Sequence, residues 1–377
     1  MIRVLHVIKT LGLGGAETNL LNLAGACDPG KVENHIAYSQ GGEHEAHFKR
    51  SGVRLFKYAE DAHKIKSLAT FAIVARLAGY IRKNQIDIVQ THNTNAQVWG
   101  CLAAKLAGAK VVEHVHDFRY MEEDDYIRRR GTTAQYKYIR RFAGWSDRVV
   151  VLTRGNRDYL LNHHLCRPDR IREIQNGIPL DAPAHSLKER FGVRADEPVV
   201  LTSARMAPEK NVDLVLRIAP AVLRDVPNAV FLIAGDGPLL ADLKAQAERL
   251  KLGDRLRFIG FQSDIPALLS MSRVFLLPSF LELHSIAILE AQSLGVPVVV
   301  SSGVGCNSET FTHGRDGFLH DPFADEGWAG TLARLLKDPA LSVTVGENGR
   351  NLCRERFDIK KTAARFQDLY GELLGHA

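Results

Sequence analysis

An α/β fold of two doubly wound, Rossmann-like domains is what this sequence predicts, and three observations carry the prediction. Short β-branched runs alternate with helical patterns almost from end to end, as in parallel sheets covered by helices on both faces. The alternation breaks once, at Asn176-Gly177-Ile178-Pro179-Leu180-Asp181-Ala182-Pro183, and then restarts. The length, 377 residues, suits two domains with a core each.

In the first half the strand-like runs are Ile2–Ile8, Val32–Ser39, Val53–Tyr58, Asp87–Thr91, Lys110–Val115, Arg148–Leu152 and Ile171–Gln175. Between them Leu68–Arg82 and Ala96–Ala107 repeat their apolar residues with helical period. Segment 176–183, rich in turn formers and carrying two prolines, reads as an interdomain linker. The second half resumes with Pro198–Ser203, Ala229–Ala234, Arg255–Gly260, Val274–Leu277, Pro297–Ser301 and Gly317–His320. Two such domains facing a central cleft would turn strand C-termini and helix N-termini toward it, where ligands of such folds bind.

Composition excludes several classes. A hydrophobic fraction of 45% and a charged fraction of 24% are those of a globular protein, neither fibrous nor disordered. The N-terminus runs from an apolar stretch straight into a Gly-rich loop without a small-residue cleavage site, so it reads as a first strand. No window approaches about 18 consecutive apolar residues, so no spanning helix is expected. Five scattered cysteines without a C-x-x-C pair suit a reducing cytoplasm and argue against a zinc site. The net charge is +6, and the cations crowd between Arg128 and Arg157, against one acid, Asp147. That stretch is either a solvated helix face or a patch for anionic lipid headgroups or an anionic acceptor at the inner membrane face. Nucleic acid is disfavoured, because no recognised binding motif accompanies the charge.

Four motifs fall at strand-to-helix junctions. Gly12-Leu13-Gly14-Gly15-Ala16-Glu17 follows the first strand; its glycines let backbone N–H groups approach an anion, or simply make a tight turn. Arg205 and Lys210, in Ser203–Asn211, either clamp a diphosphate or are two surface cations. Gly235-Asp236-Gly237-Pro238 and Phe258-Ile259-Gly260-Phe261 offer backbone surfaces for a nucleobase, or ordinary turns. In Pro278–Ala291, Glu282 sits in a loop and Ser285 stands where a helix N-cap is expected. Glu290 then falls among apolar helix residues, where a carboxylate is costly unless bonded. Ribose hydroxyls or an internal ion pair would satisfy it.

Taken together, these segments resemble the family 4 glycosyltransferases of the GT-B fold over nearly the whole chain. The segments that carry the likeness are GLGGAET, HVHDF, IQNGIPLD, SARMAPEKNVDLVL, IAGDGP, FIGF and the E-x7-E pair Glu282 and Glu290. The resemblance implies a retaining, metal-independent glycosyltransferase without a cofactor, using a nucleotide-diphosphate sugar as co-substrate. It implies an acceptor-binding domain over residues 1–180 and a nucleotide-sugar domain over 181–359, with a last helix, about 360–377, packing back on the first. By the same resemblance Gly14 and Gly15 lie beside the donor phosphate, and Gly15 beside the acceptor too. Arg205 and Lys210 bind the diphosphate and stabilise the leaving group, Glu290 holds the ribose, and Glu282 holds the transferred sugar. His116 orients donor or acceptor, an assignment that rests on the Asp117 following it. Gly235, Gly237, Phe261, His284, Ser285 and Ile286 complete the donor set. His92 is either an acceptor contact or a satisfied core histidine.

The sequence departs from that family at one place. Glu282 is ordinarily followed there by Gly, a bulky apolar residue, then Gly or Pro; here it is followed by Leu283-His284-Ser285. Without that Gly the loop loses easy left-handed backbone, so it takes another shape or His284 supplies a contact. The competing readings are a sugar-nucleotide epimerase, an inverting transferase, or a non-catalytic nucleotide-sugar-binding partner. A nicotinamide dehydrogenase is disfavoured by the glycine spacing.

Overall fold

The computed structural model describes residues 1–60, 68–92, 94–116, 144–180 and 187–376. It comprises two compact units: Met1–Gly177 with Ile359–Ala377, and Ile178–Asp358.

The first unit is built on a seven-stranded sheet: β1 (Ile2–Val7), β2 (Val32–Tyr38), β3 (Arg54–Lys57), β4 (Ile88–His92), β5 (Lys110–His114), β6 (Arg148–Val151) and β7 (Ile171–Glu173). Its order is β3-β2-β1-β4-β5-β6-β7, parallel throughout. Central strands such as β4 and β6 are buried almost throughout because both faces are covered, β6 with the apolar run Val149–Val151 and β4 with Gln90, Thr91 and His92 among its buried residues. Helices Leu68–Lys83 and Thr94–Ala107 bury Leu77, Ile81 and Trp99 against one face. On the other, helix Gly15–Ala26 contributes Leu23 and the last helix, Ile359–Leu374, contributes Ala363, Phe366, Leu369 and Tyr370. Those four recur at helical spacing, which is why this helix presents one apolar stripe to the sheet.

The second unit repeats the design with six parallel strands: β8 (Val199–Ser203), β9 (Val230–Ala234), β10 (Leu256–Gly260), β11 (Val274–Leu277), β12 (Val298–Ser301) and β13 (Phe318–His320). They lie in the order β10-β9-β8-β11-β12-β13. Helices Val212–Asp225 and Trp328–Lys337 pack on one face, burying Leu216, Trp328 and Leu332. Helices Ile265–Ser270 and Ile286–Ser293 bury Leu268, Ile288 and Ala291 on the other. Where the chain first enters this unit, Ile178 N donates to Phe357 O at 2.9 Å and pairs with Asp358, the residue by which it leaves.

Strand order reverses between β1 and β4 in the first sheet and between β8 and β11 in the second. Ligands of open parallel sheets bind at the carboxyl ends of the strands beside such switch points. Among the described residues no helix is long and apolar enough to cross a membrane.

Candidate functional site

At the switch point of the second unit, the loop after β8 carries both expected cations. It turns through the 3-10 segment Pro208–Lys210 and ends at Asn211, whose φ of +49° is left-handed; asparagine tolerates that region better than other side chains. Asn211 is anchored by its Nδ2, which donates to Pro322 O at 3.0 Å. Lys210 Nζ donates to Glu282 Oε1 at 2.6 Å, and Ser279 Oγ donates to the same oxygen at 2.9 Å. The loops after β8 and β11 are thereby joined across 72 positions of sequence. Arg205 pairs with Glu209 at the surface. An exposed pair of this kind contributes at most about 1 kcal/mol, so Arg205 remains available to an incoming anion.

Glycine is required beneath this loop. A Cβ on Gly235 would lie 2.0 Å from Ala204 O, and one on Gly237 would lie 2.6 Å from Met206 O. The loops are laced there by Met206 N donating to Asp236 O and Leu239 N to Met206 O. Gly235 and Gly237 thus hold the Arg205 loop in place by letting two backbones touch. Phe261, directly after β10, is 52% exposed and offers an aromatic face beside that turn.

Glu290 lies in helix Ile286–Ser293 between buried Leu289 and Ala291. Among the described residues its carboxylate has neither a hydrogen bond nor an ion pair, and desolvation pushes its pKa up to about 7. The internal ion pair that the sequence left open is therefore not formed among the described residues. Ser285 holds the N-cap position that the sequence suggested, although its hydroxyl makes no capping bond. The extended backbone of a cap is present without the side-chain bond that normally accompanies it. Ile286, which follows, is buried against Ile178, Leu289 and Phe357.

The departure at Leu283-His284 has a physical answer. No residue between Ser279 and Ser285 adopts a left-handed backbone, so the loop takes a different course. Leu283 is buried, and the His284 ring packs 4.9 Å from that of Phe357. Burial, with Arg356 adding to it, drives the His284 pKa down to about 3. The left-handed residue stands instead on the facing loop: Gly305, φ +54°, where a Cβ would come within 2.3 Å of Leu283 O and 2.4 Å of Glu282 O. Cys306 N then donates to Leu283 O at 3.0 Å. Sequence reasoning missed Gly305, Ser279 and Glu209. For Ser279 a signal existed, the Ser-x-x-Glu spacing to Glu282; Gly305 gave none until the loops were seen together.

In the first unit Gly14 caps helix Gly15–Ala26 with extended backbone. A Cβ there would lie 2.2 Å from Glu17 Oε2, so the buried Glu17 carboxylate is folded over it. Desolvation raises the Glu17 pKa, and its own backbone N–H partly offsets this. A Cβ on Gly15 would meet nothing within 4 Å, which leaves that backbone open to approach.

The histidines gather on one face of β1, β4 and β5. His6 lies in register with Gln90, and His92 with His114; spacing by two puts His92 on the side of Gln90 and His116 on the side of His114. His6 Nε2 stands 3.0 Å from Asn34 Oδ1, His6 Nδ1 3.1 Å from His92 Nε2, and His92 Nδ1 3.0 Å from His116 Nε2. His114 is buried and takes its own partner, Gln90 Nε2, at 3.1 Å. Ring nitrogens of His92, His114 and His116 lie within 4.8 Å of one another, close enough for a metal ion as well as for hydrogen bonds. His92 is thus both a bonded core histidine and the neighbour of His116. Asp117 and the cations at 128, 129, 130, 137, 140 and 141 lie outside the described residues.

Residues 13–182 match the model for Glycosyltransferase Family 4 and residues 185–352 that for Glycosyl transferases group 1. The chain is 31% identical over 333 residues to the UDP-Gal:alpha-D-GlcNAc-diphosphoundecaprenol alpha-1,3-galactosyltransferase of Escherichia coli, covering 85% of this chain and 84% of that one. The chain belongs to the family 4, group 1 glycosyltransferases. This glycosyltransferase is also 30% identical to the 2-deoxystreptamine glucosyltransferase of Streptomyces kanamyceticus, over 78% of this chain and 79% of that one. Among solved structures it resembles Anabaena HepE in complex with UDP and glucose, with a TM-score of 0.85 at 22% identity, covering 98% and 99% of the two chains. That likeness establishes the two-domain GT-B fold.

Proposed function

We propose that this glycosyltransferase moves a hexose from a uridine diphosphate sugar to a hydroxyl of a glycan or lipid-linked acceptor, retaining the anomeric configuration and using no metal. The observation that carries the nucleotide assignment is Glu290: a desolvated carboxylate without a partner among the described residues. It lies in the helix that begins four residues after Glu282, and two vicinal ribose hydroxyls would satisfy it. Arg205 and Lys210 take the diphosphate, one cation released from Glu209 and the other from Glu282. Glu282, freed in part, then meets hydroxyls of the transferred sugar while Ser279 keeps its carboxylate oriented.

In the transfer, the acceptor oxygen bonds to the anomeric carbon on the face from which the diphosphate leaves. The anomeric C–O bond breaks, its electron pair departs with the diphosphate, and the acceptor proton passes to a phosphate oxygen. Positive charge at Arg205 and Lys210 stabilises the departing oxygens, so no separate base is needed. Gly15, His92 and His116 are assigned to the acceptor side. The uridine and the acceptor class are suggested by the relatives, one named for UDP-Gal and a lipid diphosphate. A basic stretch at 128–157 suits contact with an anionic membrane surface.

A thermal-shift panel of UDP, GDP and their hexose conjugates tests the donor, since stabilisation follows ligand concentration over Kd. Transfer assays of Arg205→Ala and Lys210→Ala test the clamp: each should lose roughly 100- to 1,000-fold in kcat. Full activity in both variants sinks the clamp, and turnover abolished by a chelator sinks the metal-free mechanism.

A further inference from the structure

We infer that Phe323 is a stacking platform for an uncharged sugar ring of the acceptor, set on the same frame of loops that carries Lys210 and Glu282. The inference rests on the reading of that frame as the place where a sugar is transferred.

Phe323 lies on the loop after β13, in Asp321-Pro322-Phe323-Ala324-Asp325-Glu326. It is 66% exposed, and a single exposed apolar side chain is ordinary. This one is held in place. Phe323 N donates to Asp321 Oδ1 at 2.9 Å, and the indole of buried Trp328 donates through Nε1 to Asp321 O at 3.0 Å. Two residues further on, Arg217 donates to Asp325 from Nε and from Nη2, at 3.0 and 2.8 Å. The Phe323 ring lies 5.0 Å from that of Phe280, their planes 31° apart. Phe280 therefore backs the ring, and the rest of its surface meets solvent.

The position of the ring decides what it meets. Asn211 Nδ2 donates to Pro322 O at 3.0 Å, which ties the residue before Phe323 to the end of the Lys210 loop. Phe280 N donates to Glu209 O at 2.8 Å, which ties the backing residue to the same loop. Lys210 Nζ closes the frame on Glu282. Both of those side chains are mostly buried, as suits groups that hold a donor inside the frame. Phe323 stands open on the loop of the edge strand, β13. What reaches it arrives from solution, and in this reaction that is the acceptor.

The neighbouring side chains define the chemistry. Asp321 and Glu326 are exposed carboxylates, and neither forms an ion pair among the described residues. Their charge repels anionic lipid headgroups, phosphates and carboxylates. A neutral pyranose suits both parts of the surface. Its C–H hydrogens are slightly positive and favour the negative face of an aromatic ring. Its hydroxyls donate, and ionised carboxylates only accept.

Saturation-transfer NMR on the intact protein with UDP present tests the platform, using the methyl α-glycosides of glucose, galactose and N-acetylglucosamine as probes. At least one should receive saturation on the C–H hydrogens of one ring face, with a Kd about tenfold weaker in Phe323→Ala. Phe323→Tyr, still aromatic, should bind as the wild type does. Phe323→Leu, apolar without an aromatic face, should bind as poorly as Phe323→Ala. Binding by none of the three glycosides, or equal binding in wild type and Phe323→Ala, overturns the platform. Capture by phosphatidylglycerol vesicles that Phe323→Ala abolishes overturns it in favour of a membrane surface. Salt-sensitive binding of tetramethylammonium, lost in Phe323→Ala and unaffected by the glycosides, overturns it in favour of a cation. Thermal stabilisation by UDP separates this inference from the reading beneath it. Where UDP stabilises wild type and Phe323→Ala equally and the glycosides fail, the donor frame stands without the platform. Where UDP does not stabilise the wild type, the frame itself is lost.

Discussion

Replacing Glu290 by glutamine keeps the shape of the side chain and removes only its ionisation. Burial raises the Glu290 pKa from 4.5 to about 7. Because the folded pKa lies above the unfolded one, the contribution to stability is whole below about pH 4.5 and is lost as pH rises to about 7. Each pH unit in that window costs about 1.4 kcal/mol, so at alkaline pH the ligand-free wild type carries a penalty of about 3 kcal/mol that Glu290→Gln escapes. For a unit of this size about 3 kcal/mol corresponds to roughly 6–12 °C in Tm. Calorimetric unfolding of both proteins should give curves that nearly coincide in acid and diverge as pH rises, the variant being the more stable. Added UDP should reverse the order, because ribose hydroxyls stabilise the ionised carboxylate and find a poorer acceptor in the amide. Curves that run parallel from acid to alkali would refute the desolvated carboxylate, whatever the absolute fit of the amide. Divergence without a reversal by UDP would refute the ribose.

Three further outcomes follow from the packing. Gly305→Ala places a Cβ against the Glu282 and Leu283 carbonyls at positive φ, and should cost about 1–3 kcal/mol in denaturant unfolding together with a raised donor KM. Lys210→Met leaves the Glu282 carboxylate with Ser279 alone; a loss of about 1–3 kcal/mol that Glu282→Gln partly restores in the double variant would show the pair in a mutant cycle. Phe366→Ala empties a fully buried site under the first sheet and should lower stability by about 3–5 kcal/mol, visible in the first unit's transition and absent from the second's.

The strands were legible as short β-branched runs alternating with helical patterns, and each observed strand falls within two residues of its sequence-read limits. What the sequence could not show was the pairing between distant loops. Lys210 and Glu282 were both singled out, yet as separate contacts to a donor; their bond to each other needed the β8–β11 adjacency. Gly305 looked like one glycine of a turn until its neighbours proved to be carbonyls of another loop. His6 reads as an ordinary polar residue in a strand, and only the register of β1 with β4 brings it to His92. Ser285 was legible as the N-cap residue, but the absence of its side-chain capping bond was not.

The helix Ile359–Leu374 belongs to the first unit, and that has a consequence for how the protein is made. During synthesis the seven strands of the first sheet emerge long before Phe366 and Tyr370, which complete its core. Tyr370 reaches back 280 positions to Gln90. The second unit, encoded without interruption, has every residue it needs while the first still waits with an uncovered apolar face. The N-terminal sheet is therefore the last part of the molecule to be finished, and the period of its exposure is when a nascent chain is most open to aggregation or to capture by a chaperone.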